Sequence, residues 1–192
     1  MIAILKYNAG NSTSVENAVK RLGYRAVITD EISVLQSADK VIFPGVGEAG
    51  TAMNYLKAKG LDEVIKSLKQ PVLGICLGMQ LLCECSEERN TIGLGIFKNK
   101  VLKFPPKELV PHTGWNNFTS LKGKLFEGVE VDNNCYFVHG YYAAISQETI
   151  AVTDYILPFS AALQKDNFYA TQFHPEKSAE TGLRILKNFL NL

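Results

Sequence analysis

The first half of this chain alternates short apolar, β-branched runs with segments of helical periodicity, and that alternation restricts the fold more than any other feature. Runs at Ile2–Tyr7, Arg25–Thr29, Val41–Phe43 and Val72–Ile75 read as strands. Helical patterns fill Ser12–Leu22, Ala49–Lys59, Leu61–Lys69 and Leu77–Cys85. In the first of these, Val15, Ala18, Val19 and Leu22 share one face, Asn11 or Ser12 is available as a cap, and Gly23 as a stop. A strand–helix–strand order predicts a parallel sheet covered by helices on both faces. The second half is β-rich. Strand-like runs occur at Gly95–Phe104, Asn116–Thr119, Cys135–Val138, Tyr141–Ile145, Ile150–Tyr155 and Phe159–Gln164. Asp166-Asn167 reads as a hairpin turn returning through Phe168–Phe173, and a helix from about Ser178 to Leu190 closes the chain, with Leu183, Leu186, Phe189 and Leu190 at helical spacing. No linker, repeat or low-complexity stretch interrupts this order. One α/β domain over residues 1–192 is the expectation.

Composition narrows the function classes. Twenty basic against 19 acidic residues leave a net charge of +1, which argues against an electrostatic nucleic-acid binder and against an acidic tail. No window approaches the ~18 apolar residues of a membrane span. Met1–Lys6 lacks the charged and long apolar regions of a signal peptide. The four cysteines, Cys76, Cys83, Cys85 and Cys135, are too few to serve as the framework of a chain this large. A reducing, cytoplasmic setting is expected.

The strongest local signal is Gly74-Ile75-Cys76-Leu77-Gly78, a Gly-x-nucleophile-x-Gly pattern between an apolar strand and a helix. Flanking glycines remove the Cβ atoms that would clash in a sharp strand-to-helix turn. A thiol nucleophile needs a base, and the base needs an orienting group. His174-Pro175-Glu176 supplies both: in an extended segment residues i and i+2 point to one side, so Glu176 can hold the His174 imidazole. His112 and His139, the other histidines, have no acid at comparable spacing. Oxyanion donors are expected from the Leu77 N–H and from the loop Gly45-Val46-Gly47. That loop extends to a literal Gly-x-Gly-x-x-Gly at Gly45–Gly50. It follows the third strand rather than the first, and no acid lies about twenty residues on, so a dinucleotide site is not expected. Cys83 and Cys85 have no second cysteine pair, so neither a metal nor another cofactor is expected.

Together, Gly74–Leu82 and Gln172-Phe173-His174-Pro175-Glu176-Lys177-Ser178 resemble the class I (triad-type) glutamine amidotransferases. Pro44–Gly47, Pro111–Asn116, Tyr136–His139 and Gly10-Asn11 are similar to segments of one subfamily, the glutaminase subunits of imidazole glycerol phosphate synthases. The resemblance implies a flavodoxin-like, open, mostly parallel sheet. It implies that Cys76 attacks the side-chain amide of L-glutamine, with His174 as base and then acid and Glu176 orienting it. Leu77, Val46 and Gly47 would hold the oxyanion, and Gly45, Gln80, Glu88, Val138, His139 and Gly140 the glutamine. Ammonia would pass to a (βα)₈-barrel cyclase subunit in a heterodimer serving histidine biosynthesis. Asn8, Asn11, Trp115, Tyr136 and Lys177 would face that barrel, which would activate the glutaminase by rearranging Pro44–Gly47. Lys6, Thr113, Cys85 and Gly140 depart from the subfamily pattern, which leaves open a paralogous subunit feeding an amidine-forming surface-sugar amidotransferase. A free-standing cysteine hydrolase and a binding module without activity are the remaining alternatives.

Overall fold

The computed structural model describes residues 1–192. The first half contains β1 (Ile2–Leu5), α1 (Ser12–Arg21), β2 (Ala26–Thr29), α2 (Ile32–Ser37), β3 (Lys40–Phe43), α3 (Ala49–Ala58), α4 (Leu61–Ser67), β4 (Val72–Ile75) and α5 (Leu77–Leu82). The second half contains β5 (Cys85–Ser86), β6 (Thr91–Ile92), β7 (Lys100–Lys103), β8 (His112–Asn116), β9 (Ser120–Leu121), β10 (Cys135–His139), β11 (Tyr141–Ala143), β12 (Thr149–Asp154), β13 (Pro158–Lys165), β14 (Phe168–Thr171) and α6 (Ala179–Leu190).

Strands β2-β1-β3-β4-β14 pair in parallel, and this succession is the flavodoxin-like order with β14 as the fifth strand. The sheet continues antiparallel through β13, β11 and β7, and β12 and β9 extend the other edge of β13. Strands β8 and β10 form a separate antiparallel pair. The result is a mixed sheet with a parallel core. Two-residue alternation sends Ala3, Leu5, Val41, Phe43 and Val72 to one face, beneath α2, α3, α4 and α5. Ile2, Ile4, Ile42, Leu73 and Ile75 go to the other, with Val15 and Val19 of α1 and Ile185, Leu186 and Phe189 of α6. All four residues of β1 are buried, as a strand covered on both faces must be. No helix is long and apolar enough to cross a membrane.

The observed elements differ from the expected ones at several points. Helix α2 has no counterpart among the expected elements; only Leu35 of its six residues is buried, so its periodicity is too short to register. Helix α5 stops at Leu82 rather than Cys85 because a returning loop takes its last carbonyls. The N–H groups of Leu94, Gly95 and Phe97 donate to Leu81, Cys83 and Leu82. Only Lys100–Lys103 of the Gly95–Phe104 run is strand, where β11 and β5 pair with it. The strand expected at Asn116–Thr119 lies instead at His112–Asn116, because its register is set by β10, from Cys135↔Asn116 to His139↔His112.

Close packing of α5 on β3 requires a residue without a side chain at Gly78. A Cβ there would overlap the Phe43 carbonyl oxygen, which is backbone and cannot rotate away. Gly78→Ala is therefore expected to destabilise the fold by about 1–3 kcal/mol, the usual range for overpacking. Equilibrium urea unfolding of the two proteins measures it; an unchanged midpoint would contradict this account of the contact.

Candidate active site

Cys76 joins β4 to α5 with φ 53° and ψ −107°, a backbone conformation that costs a non-glycine residue roughly 1–3 kcal/mol. The surroundings enforce it. Cys76 N–H donates to Thr171 O at 2.7 Å, which continues the β4–β14 ladder past the end of β4. A Cβ on Gly74 would crowd Gly78 and Leu82, so the turn closes only with glycine on both sides of Cys76. Cys76 is 6% exposed, and its Sγ lies 3.8 Å from Val138 O and 3.6 Å from Gln172 Nε2.

His174 follows β14 on the neighbouring strand end. Its N–H donates to Tyr136 O at 2.9 Å, and its carbonyl accepts from the Ser178 hydroxyl at 2.6 Å. Pro175–Lys177 is one turn of 3₁₀ helix, so the extended i, i+2 argument does not describe how Glu176 reaches His174. The turn curls the carboxylate back, and Glu176 Oε1 accepts from His174 Nδ1 at 2.8 Å with both side chains fully buried. Helix α6 holds the turn from behind, since a Cβ on Gly182 would overlap the Pro175 carbonyl. Burial alone would lower the His174 pKa. The Cys76 and Glu176 side chains more than reverse that, by hydrogen bonding and charge, and push it up to about 10. Nδ1 is taken by Glu176, so the buried Nε2 is the ring nitrogen left available to Cys76.

A pocket of about 260 Å³ opens beside the thiol. Cys76, Leu77, Gln80 and Glu88 line one side, with Val46 and Gly47. Val138, His139 and Gly140 line the other. Gly45 is not on the wall: it packs on Tyr7, whose hydroxyl donates to Pro44 O at 2.7 Å. The Gly45 carbonyl instead accepts the Leu77 N–H at 3.2 Å, so this expected oxyanion donor is already satisfied. Glu88 Oε2 accepts from Ala49 N at 2.7 Å, which ties the pocket's acid to the start of α3.

His139, on the pocket wall, and His112 form a buried chain. His139 Nδ1 donates to Tyr141 O at 2.8 Å, so its Nε2 must accept from His112 Nδ1 at 3.1 Å. Burial lowers their pKa values to about 3 and about 4, which keeps both rings neutral and this tautomer chain intact at pH 7.

Of the residues expected to face a partner, Trp115 is 55% exposed and its ring meets Tyr136 edge-on at 6.0 Å across the β8–β10 pair. Asn8 and Lys177 are exposed. Asn11 is half-buried with φ 81°, and its Nδ2 donates to Glu176 Oε1 at 2.5 Å, so its side chain is turned toward the carboxylate. The Tyr136 carbonyl accepts from the His174 N–H, so the Trp115–Tyr136 surface lies directly beside the buried His–Glu pair. Pattern reading did not single out Gln172, which is fully buried against the thiol. Its only sequence signal is its place two residues before His174.

This arrangement suits acyl transfer: a strained thiol, a charged imidazole oriented by a buried carboxylate, and a small adjoining pocket. Comparison with known proteins agrees. The family model described as "Glutamine amidotransferase class-I" matches residues 5–192. A protein of Bacteroides fragilis named imidazole glycerol phosphate synthase subunit HisH is 62% identical over 100% of this chain and 99% of its own length. Its namesakes in Bacteroides thetaiotaomicron and Yersinia pestis are 61% and 48% identical over the same shares. Among solved structures, a putative GMP synthase subunit from Thermoplasma acidophilum has a TM-score of 0.77 at 20% identity, covering 100% of this chain and 92% of that one. PurLQS from Thermotoga maritima has a TM-score of 0.74 at 16% identity, covering 99% and 97%. The likeness to these distant structures is one of fold, whereas the family match and the full-length relatives reach the sequence itself: the chain belongs to the class-I glutamine amidotransferases.

Proposed function

We propose that this chain is the glutaminase subunit of an imidazole glycerol phosphate synthase, working through Cys76, His174 and Glu176. The observation that carries the chemistry is the buried His174–Glu176 pair, on whose imidazole Cys76, a lining residue of the pocket, also acts. Relatives at 61–62% identity over the whole chain, each named as a subunit of that synthase, support the pathway. The Cys76 thiolate attacks the δ carbon of glutamine. The tetrahedral oxyanion collapses, His174 Nε2 gives its proton to the leaving nitrogen, and ammonia departs from a glutamyl thioester. Water then attacks the thioester carbonyl while His174 Nε2 takes its proton, and glutamate leaves as the thiolate reforms. Glu88 and the free Oε1 of Gln80 suit the substrate's ammonium group, since a buried cation needs acceptors.

The Leu77 N–H can serve an oxyanion only after it leaves the Gly45 carbonyl. A flip of the Gly45–Gly47 loop, where Gly47 has φ 132°, would free it and turn a loop N–H into the pocket. We assign that change to docking of a (βα)₈-barrel cyclase on the surface that carries Asn8, Trp115, Tyr136 and Lys177, with ammonia passed to the barrel rather than to water.

Ammonia and glutamate release from glutamine should be low for the chain alone and rise strongly with the barrel subunit of the same organism. Equal activity of the chain alone would overturn the gating. In the complex, Cys76→Ala should lower kcat by about 10⁴-fold or more. The pH profile gives a separate check. With the His174 pKa at about 10, the imidazolium persists through neutral pH and kcat/KM should fall on the alkaline side near pH 10. Glu176→Gln removes a charge that holds the proton on His174, so this limb should move to lower pH. A limb that stays in place would count against the assigned role of Glu176.

A further inference from the structure

A buried amide, that of Gln172, lies against the sulfur of Cys76, and its orientation follows from the hydrogen bonds around it. Gln80 Nε2 lies 3.0 Å from the Tyr141 carbonyl oxygen, an atom that can only accept, so this end of Gln80 is its NH₂. The same NH₂ lies 3.0 Å from the Gln172 side chain, which must therefore present its oxygen, Oε1. The other end of Gln172 is then its NH₂, and Nε2 faces Cys76 Sγ at 3.6 Å. A single backbone carbonyl thus sets two amides in turn. Gln172 itself is fully buried, and its N–H donates to Ala161 O at 2.8 Å, which leaves the residue little freedom to turn away.

We propose that Gln172 is a catalytic residue that donates a hydrogen bond from Nε2 to the Cys76 thiolate, with Gln80 fixing the amide in that orientation. The proposal rests on the reading of Cys76 as the nucleophile. Other sources of stabilisation for the sulfur are few. The Val138 carbonyl, 3.8 Å away, accepts from a thiol but repels a thiolate. The first N–H of α5, on Leu77, is occupied by Gly45 O, so the helix end offers little in this conformation. His174 and Gln172 remain. His174 cycles its proton during the reaction, whereas Gln172 is a donor whose protonation state does not change, present both before the thiolate attacks and when it reforms. It also keeps the sulfur ready to leave when water opens the thioester.

Sulfur reactivity tests this without a partner or glutamine. The full-length chain is treated with iodoacetamide from pH 5 to pH 9, and alkylation of Cys76 is followed by mass spectrometry of its peptide. This distinguishes it from half-buried Cys85. Gln172→Met keeps the length and removes the donor, and Gln172→Glu keeps the shape and sets an acceptor against the sulfur. Both should shift the alkylation midpoint to higher pH by about one unit or more, as expected for loss of a hydrogen bond to a charged group. Gln172→Glu should shift it further. Thermal unfolding of each variant establishes that it is folded, and the isosteric Gln172→Glu serves if Gln172→Met is not. Folded variants with the wild-type profile would overturn the role of Gln172. Undiminished glutaminase activity in Cys76→Ala would instead overturn the nucleophile assignment beneath it.

Discussion

Between Val72–Ile75 and Phe168–Thr171 a parallel ladder runs in register, and the Cys76 N–H extends it by one more bond to Thr171 O. That pairing brings the ends of two distant segments together, one carrying the thiol and the other leading into His174. Because parallel strands end on the same side of the sheet, Cys76 and His174 are placed at the same sheet edge without any further device. A register shift of one residue would turn the side chains of β14 to the opposite face. It would also carry His174 away from Tyr136 O, which holds its backbone.

The rest of the site is built outward from that ladder by elements that fix one group each. Helix α6 closes on the Pro175–Lys177 turn through Gly182 and keeps Glu176 curled onto His174. Asn11 presses on the same carboxylate oxygen from the start of α1. Tyr7 backs the Pro44-Gly45 peptide, and Gly45 in turn occupies the N–H of Leu77. Gln80 sets Gln172, which faces the sulfur. With the other groups held in this way, the proposed rearrangement is confined to the loop Gly45–Gly47, whose carbonyl at Gly45 holds the Leu77 N–H.

The strand order makes such a site simple to assemble but places its parts under different constraints. Cys76 is strained and buried, and it is held by backbone on both sides. The β8–β10 pair lies outside the main sheet, where Trp115 and Tyr136 stay exposed or half-exposed while their neighbour His112 is buried against His139. The exposed aromatic pair and the buried His–Glu pair are thus linked through one short antiparallel ribbon, with Tyr136 bonded to His174.

By itself, the sequence determined the parallel core, the helices that cover it and the residue types of the site. Apolar periodicity is a local property, and Gly74–Gly78 and His174–Glu176 are short enough to carry their chemistry in their spacing. Only the tertiary structure decided the end of α5, where a returning loop takes the last carbonyls, and the register of β8, which β10 sets. It also decided that Glu176 reaches His174 through a 3₁₀ turn, that Gly45 occupies the Leu77 donor, and that Gln172 and Asn11 touch the catalytic candidates. Each of these is a hydrogen bond between residues far apart in the chain or a turn held in place by packing from another element. No local pattern encodes such a contact, because its partner is supplied by the fold.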